Sequence, residues 1–121
     1  MTRWLIDGMN VIGSRPTGWW RDREGAKRKF ARELSRLAEG GNEVTVVFDG
    51  REPDDPIEAP GVEVRFAPGG PNSADDRIVE IVDADGDPSS ITVVTSDGEL
   101  ERRVTELGAS VTGAGEFRRR L

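Results

Sequence analysis

Three observations predict an α/β fold with a mainly parallel central sheet and helices on both faces. Short apolar segments alternate with helix-periodic ones along the chain. The apolar segments are rich in Val, Ile and Phe, as strands covered on both sides are. Three of them run into an aspartate, at Asp7, Asp49 and Asp97. Ligands of such sheets bind beyond the carboxyl ends of the strands, near the point where strand order reverses. The rule puts all three acids on one edge. A chain of 121 residues is enough for one domain, 1–121, with a real core.

Residues 3–7 read as a short buried strand, followed by a loop from Asp7-Gly8 through Gly13, Pro16 and Gly18. A helix is expected over 22–39, where Phe30, Leu34, Leu37 and Ala38 share one face and Gly40-Gly41 ends it. Residues 44–48 are β-branched or aromatic, a second strand. Residues 50–60 hold three prolines and read as loop. Val62, Val64 and Phe66 alternate with Glu63 and Arg65, as in a half-buried strand near a sheet edge. A turn-rich loop, Pro68 to Asn72, comes next. Ser73 reads as an N-cap with Asp76 three residues on, a short form of the capping box. The helix it opens carries Ala74, Ile78, Ile81 and Val82 on one stripe and closes at Gly86-Asp87-Pro88. Residues 91–95 form a fourth strand. A helix over 98–107 is capped by Ser96 or Asp97 and ended by Gly108. Residues 109–112 form a short fifth strand, and 115–121 a last helical turn or a frayed tail.

Composition narrows the chemistry. The chain has no His and no Cys. Histidine general bases, His-ligated zinc, thiolate catalysis, Ser-His-Asp triads and disulfides are therefore excluded. Carboxylates, amides, hydroxyls, Lys and Arg remain, and carboxylates suit hard cations such as Mg²⁺ or Mn²⁺. No segment has the ~18 apolar residues of a membrane span, and Asp7 and Asn10 interrupt any secretory signal. A cytoplasmic protein with no membrane partner is expected. Net charge is −6, but unevenly spread: residues 1–42 sum to +4, residues 43–87 to −10, and the rest balance. Basic side chains gather over 21–36 and again at Arg118, Arg119 and Arg120; both clusters also read as solvated helix surface.

Several carboxylates on one edge repel one another unless protons or a cation neutralise them. A divalent ion does this near neutral pH while keeping waters of its own. Asp7, Asp49 and Asp97 on the strand ends, with Asp75 and Asp76 at a helix start that reaches the same edge, make a candidate metal site. Asn10 adds a neutral group for a phosphate, a water or a neighbouring acid. Thr95 or Ser96 is placed to hold Asp97 or touch a scissile phosphate. Each acid also has a purely structural reading: Asp7-Gly8 and Asp49-Gly50 as turns, Asp75 and Asp76 as partners of the helix dipole, Asp97 as an N-cap.

Four segments, Ile6-Asp7-Gly8-Met9-Asn10-Val11-Ile12-Gly13, Val46-Val47-Phe48-Asp49, Ser73-Ala74-Asp75-Asp76-Arg77-Ile78 and Val94-Thr95-Ser96-Asp97, together resemble the YacP-like NYN domain family of the PIN-like nuclease superfamily. The resemblance covers most of the chain in the family's order. It implies a three-layer α/β/α, Rossmann-like fold and metal-dependent endoribonuclease activity. Asp7, Asp75 and Asp97 would be the catalytic, metal-holding core, with Mg²⁺ or Mn²⁺ as cofactor and Asn10, Asp49, Asp76 and Ser96 in support. RNA is the implied partner, with mRNA at the ribosome as a narrower use. Met9 stands where the family motif often has Tyr, as an apolar filler. The stretch after Asp97 is compressed relative to the family, which puts RNA or partner contacts there in question.

With RNA as substrate, Trp20 is a candidate for base stacking, because Trp19 and Trp20 cannot both face the core. Arg15, Arg21, Lys27 and Arg28 are candidate phosphate contacts. The rival from another class is a catalytically inactive RNA- or ribosome-binding module of the same fold. A dinucleotide-binding Rossmann domain lacks its G-x-G-x-x-G turn here. A phosphoryl-aspartate receiver would need a Lys after a late strand, and the only lysines are Lys27 and Lys29.

Overall fold

Trp4 to Asp7 are all buried, as the middle strand of a sheet covered on both faces requires. The computed structural model describes residues 2–70 and 72–121; Pro71, within the loop expected from Pro68 to Asn72, lies outside the described residues. Among them, β1 (Arg3–Asp7), β2 (Glu43–Asp49), β3 (Val62–Ala67), β4 (Ile91–Val94) and β5 (Ser110–Thr112) form one all-parallel sheet in the order β3-β2-β1-β4-β5. The chain first builds outward from β1 through β2 to β3. It then crosses to the other side of β1 to lay down β4 and β5. The order therefore reverses between β1 and β4, and a crevice opens there beyond Asp7 and Val94.

Helices α1 (Gly8–Gly13), α2 (Arg23–Glu39) and α5 (Ala114–Arg120) cover one face, packing on Trp4, Ile6, Val44, Val46, Phe48 and Val94. Helices α3 (Ser73–Ala84) and α4 (Gly98–Glu106) cover the other, on Leu5, Val47, Ile91 and Val93. The three-layer α/β/α architecture is thus present. The two-residue period of a strand explains the sorting: Trp4 and Ile6 face one layer and Leu5 the other.

Three expectations are corrected. The loop expected from Asp7-Gly8 is instead helical at once, since α1 starts at Gly8 directly after β1. Glycine is needed there by packing: a Cβ on Gly8 would lie 2.5 Å from the Phe48 ring and 3.0 Å from Val46 Cγ2. Second, Ser73 is not the cap of α3. Asn72 caps it in the left-handed conformation (φ 64°), and Ser73 Oγ donates to the Ala67 carbonyl at 2.7 Å, fastening α3 to the end of β3. Third, the last residues are neither a single turn nor a frayed tail. Ala114 and Phe117 are fully buried, and the Phe117 ring packs at a tilt against Trp4 with ring centroids 5.2 Å apart. The remaining elements match their expected positions to within a residue or two, including β3 as an edge strand.

Candidate active site

Strand parity brings the acids together. Asp7 lies two residues after Leu5, Asp49 two after Val47, and Thr95 two after Val93. All three therefore point to the face covered by α3 and α4. Both of those helices begin at the carboxyl edge of the sheet, where Asp75 sits in the first turn of α3 and Asp97 is the N-cap of α4.

Asp7 is 5% exposed; among the described residues, it and Thr95 are the buried polar residues. Thr95 Oγ1 donates to Asp7 Oδ2 at 3.0 Å and accepts from the Asp97 backbone N–H at 3.1 Å. One hydroxyl thus fixes Asp7 and the backbone of Asp97 together. Burial first, then the charges of Asp75, Asp49 and Asp97, push the Asp7 carboxyl up to about 7, against the pull of the Thr95 hydrogen bond. Asp75 is half-buried and is also raised, by burial first and then by Asp97 and Asp49, with Arg103 opposing. No hydrogen bond or ion pair engages the Asp75 carboxylate among the described residues. Asp97 Oδ1 accepts from the N–H groups of Glu99 (2.9 Å) and Leu100 (3.1 Å), which fixes its rotamer.

The supporting residues hold the surrounding backbone. Asn10, on α1, accepts from the Ser96 N–H at 2.8 Å, and Ser96 Oγ accepts from the Ala114 N–H at 2.9 Å. These two bonds tie the β4–α4 loop to α1 and α5. Asp49 Oδ1 accepts from the Ala74 N–H at 3.3 Å and so faces the start of α3. Asp76 turns away to pair with Arg103 at 3.0 Å. Thr95 was expected to hold the Asp97 side chain; it instead holds the Asp97 backbone N–H, and its bond to Asp7 was not foreseen. Its parity with Val93 was the available signal, but the β1–β4 pairing that makes it meet Asp7 spans 88 positions.

Of the expected RNA contacts, Arg15, Trp20 and Arg21 are exposed on the segment between α1 and α2. Trp19 is partly buried against the core, and Trp20, half exposed, meets it edge-on at 5.9 Å. Lys27 and Arg28 are engaged within the chain. Lys27 Nζ donates to the Asp49 carbonyl at 2.7 Å and lies 5.8 Å from the Phe48 and Phe66 rings, and burial lowers its pKa. Arg28 binds the Asp55 and Pro56 carbonyls and Glu24, pinning the loop after β2.

The donors at this edge are all oxygen, and among the described residues no cationic side chain pairs with Asp7 or Asp75. That fits a hard cation. Among the described residues no three acidic groups stand close enough to form a complete cage. The fit is to an ion held by one or two carboxylates that keeps several waters, the usual habit of Mg²⁺. No helix among the described residues is long and apolar enough to cross a membrane.

The model of the YacP-like NYN domain matches residues 4–121. The chain is similar to the crystal structure of Rae1 (YacP) from Bacillus subtilis, with a TM-score of 0.79 and 29% identity over 99% of this chain and 73% of that one. A tryptophan-to-leucine variant of the same protein gives a TM-score of 0.80 and 28% identity, covering 99% of this chain and 74% of that one. No functionally curated protein matches the sequence. With a family match from the first strand to the last helix and a shared three-layer fold, the chain belongs to the YacP-like NYN domain family, a nuclease-like family related to RNA.

Proposed function

We propose that this protein is a metal-dependent endoribonuclease that hydrolyses RNA phosphodiester bonds, with mRNA in a ribosome-associated setting as the narrower substrate. One observation carries the reading: buried Asp7 and half-buried Asp75 share the switch-point edge with Asp49 and Asp97, and among the described residues no side chain forms an ion pair with Asp7 or Asp75. A stable fold has no need of that arrangement. Of the acidic core Asp7, Asp75 and Asp97, one or two carboxylates at a time would hold Mg²⁺ or Mn²⁺, which would supply charge for a phosphodiester oxygen and a more acidic water.

The chain's own residues set the geometry. Thr95 orients Asp7, and the first N–H groups of α4 fix Asp97 Oδ1. Oδ2 of Asp97 has no partner among the described residues and is free to face a ligand. Asn10 keeps the loop of Ser96 against α1, so that Asp97 and Asp7 cannot drift apart. Trp20, Arg15 and Arg21 lie exposed on the segment that follows α1 and suit a base and the phosphates beside it.

That no complete acidic cage stands among the described residues favours a second reading, a binding module that retains the fold without cleaving. The two are separated by incubating purified protein with a mixed RNA pool, with Mn²⁺ or with EDTA. Cleavage is expected with Mn²⁺, none with EDTA, and a loss of at least about 100-fold in Asp97→Asn, in line with removal of one charge-stabilising group. Asn caps a helix as well as Asp, so α4 and the thermal midpoint should survive in that variant. Undiminished cleavage in EDTA contradicts the proposal, and binding without cleavage in Mn²⁺ supports the rival.

A further inference from the structure

The two basic clusters of the sequence meet in space outside the acidic edge. A groove of about 660 Å³ runs between α2 and α5, lined by Lys29, Arg32, Glu33, Arg36, Leu37 and Arg120, with Leu121 at its end. Lys29, Arg32 and Arg36 recur at spacings of three and four on one side of α2, a track of roughly 10 Å. All three are exposed and form no ion pair among the described residues. Arg120 joins them from α5. Its guanidinium lies 5.8 Å over the Trp4 ring and 3.5 Å from Glu116. Glu33 is the one acid in the lining.

The helix dipole accounts for part of this charge only. Arg36 lies in the last turn of α2 and Arg120 in the last turn of α5, where cations are favoured. Lys29 and Arg32 are mid-helix and gain nothing from it. Arg120 pairs with Glu116, but Lys29, Arg32 and Arg36 face the groove with no ion pair among the described residues, an unbalanced positive row on a chain of net charge −6 that suits an anionic partner. A phosphate chain matches a linear row of cations better than a compact anion does. The row also lies within reach of the acidic edge: Lys27, on the same helix, is bonded to the Asp49 carbonyl, and Arg36 is about 14 Å further along the axis.

We infer that the α2–α5 groove binds the phosphate backbone of single-stranded RNA outside the acidic edge, as a second contact for a strand held at that edge. The inference rests on RNA being the ligand of the domain. The variants to compare are Arg32→Gln/Arg36→Gln, which keeps helix propensity, and the charge reversal Arg32→Glu. The probe is a labelled RNA of about 12 nucleotides, and its affinity is measured in EDTA at several salt concentrations.

The double variant should bind roughly tenfold more weakly at low salt, and its log–log salt slope should fall by about 1.4, the value for two lost phosphate contacts on a single strand. Cleavage of a substrate too short to reach from the acids to the groove should be unchanged. Equal affinity and equal slope in both variants and wild type overturn the inference. So does loss of binding to anionic lipid vesicles with RNA binding intact, which would assign the groove to a membrane surface. Wild type that needs the groove for RNA but cleaves nothing with Mn²⁺ supports the groove and defeats the nuclease proposal separately.

Discussion

At the scale of single residues, Asp7 opposes the stability of its own fold. It is held among apolar strands, beside three other acids, and its carboxyl is raised to about 7 from an ordinary 3.8. The folded protein thus keeps a proton that the unfolded chain releases above about pH 4. By linkage, metal-free stability falls as pH climbs from about 4 to about 7 and then levels, with a slope of up to about 1.4 kcal/mol per pH unit from this group. Asp75 acts in the same direction. Thermal melts in EDTA should therefore show a lower midpoint at pH 8 than at pH 5. Asp7→Asn should remove most of that fall and melt above wild type at pH 8, while losing cleavage. A variant whose midpoints track wild type at both pH values would mean that Asp7 is not held under this strain. The acids were legible in the sequence, because a carboxylate closing an apolar run is conspicuous. The Thr95 clasp was not, because it exists only once β1 and β4 are neighbours.

Secondary elements show where local sequence and tertiary packing part company. The strands were readable because both faces of the sheet are covered, so their middle residues are mostly apolar and β-branched. α1 was hidden by its own composition. Asp-Gly at its start and Gly at its end spell a turn, yet close packing on Phe48 and Val46 makes this stretch a helix. Gly8→Ala should cost about 2 kcal/mol or more, as overpacking does, and lower the urea midpoint. Because α1 carries Asn10, cleavage should fall by more than the loss of folded protein explains. Unchanged stability would show that the Phe48 ring yields freely. α5 was also unreadable, since seven residues with three terminal arginines resemble a loose end. Phe117 is what docks it, a long-range contact with Trp4 on β1.

At the scale of the whole molecule, a group of acids gathers where the sheet order reverses, and a row of cations lies along α2 and α5. The first follows from topology: three crossovers deliver Asp7, Asp75 and Asp97 to one edge from segments far apart in the chain. That edge could be placed from the alternation of strand and helix alone. The strand order, and with it the crevice between β1 and β4, could not. The central claim is that these acids act together on one divalent ion. It is tested most directly by locating Mn²⁺ by anomalous scattering in crystals of the protein soaked at about pH 8. One ion on the β1–β4 edge, bound to Asp7 and at least one of Asp75 and Asp97 and lost in Asp7→Asn, is the predicted result. An edge that stays free of metal at saturating Mn²⁺, or an ion bound only elsewhere, contradicts it.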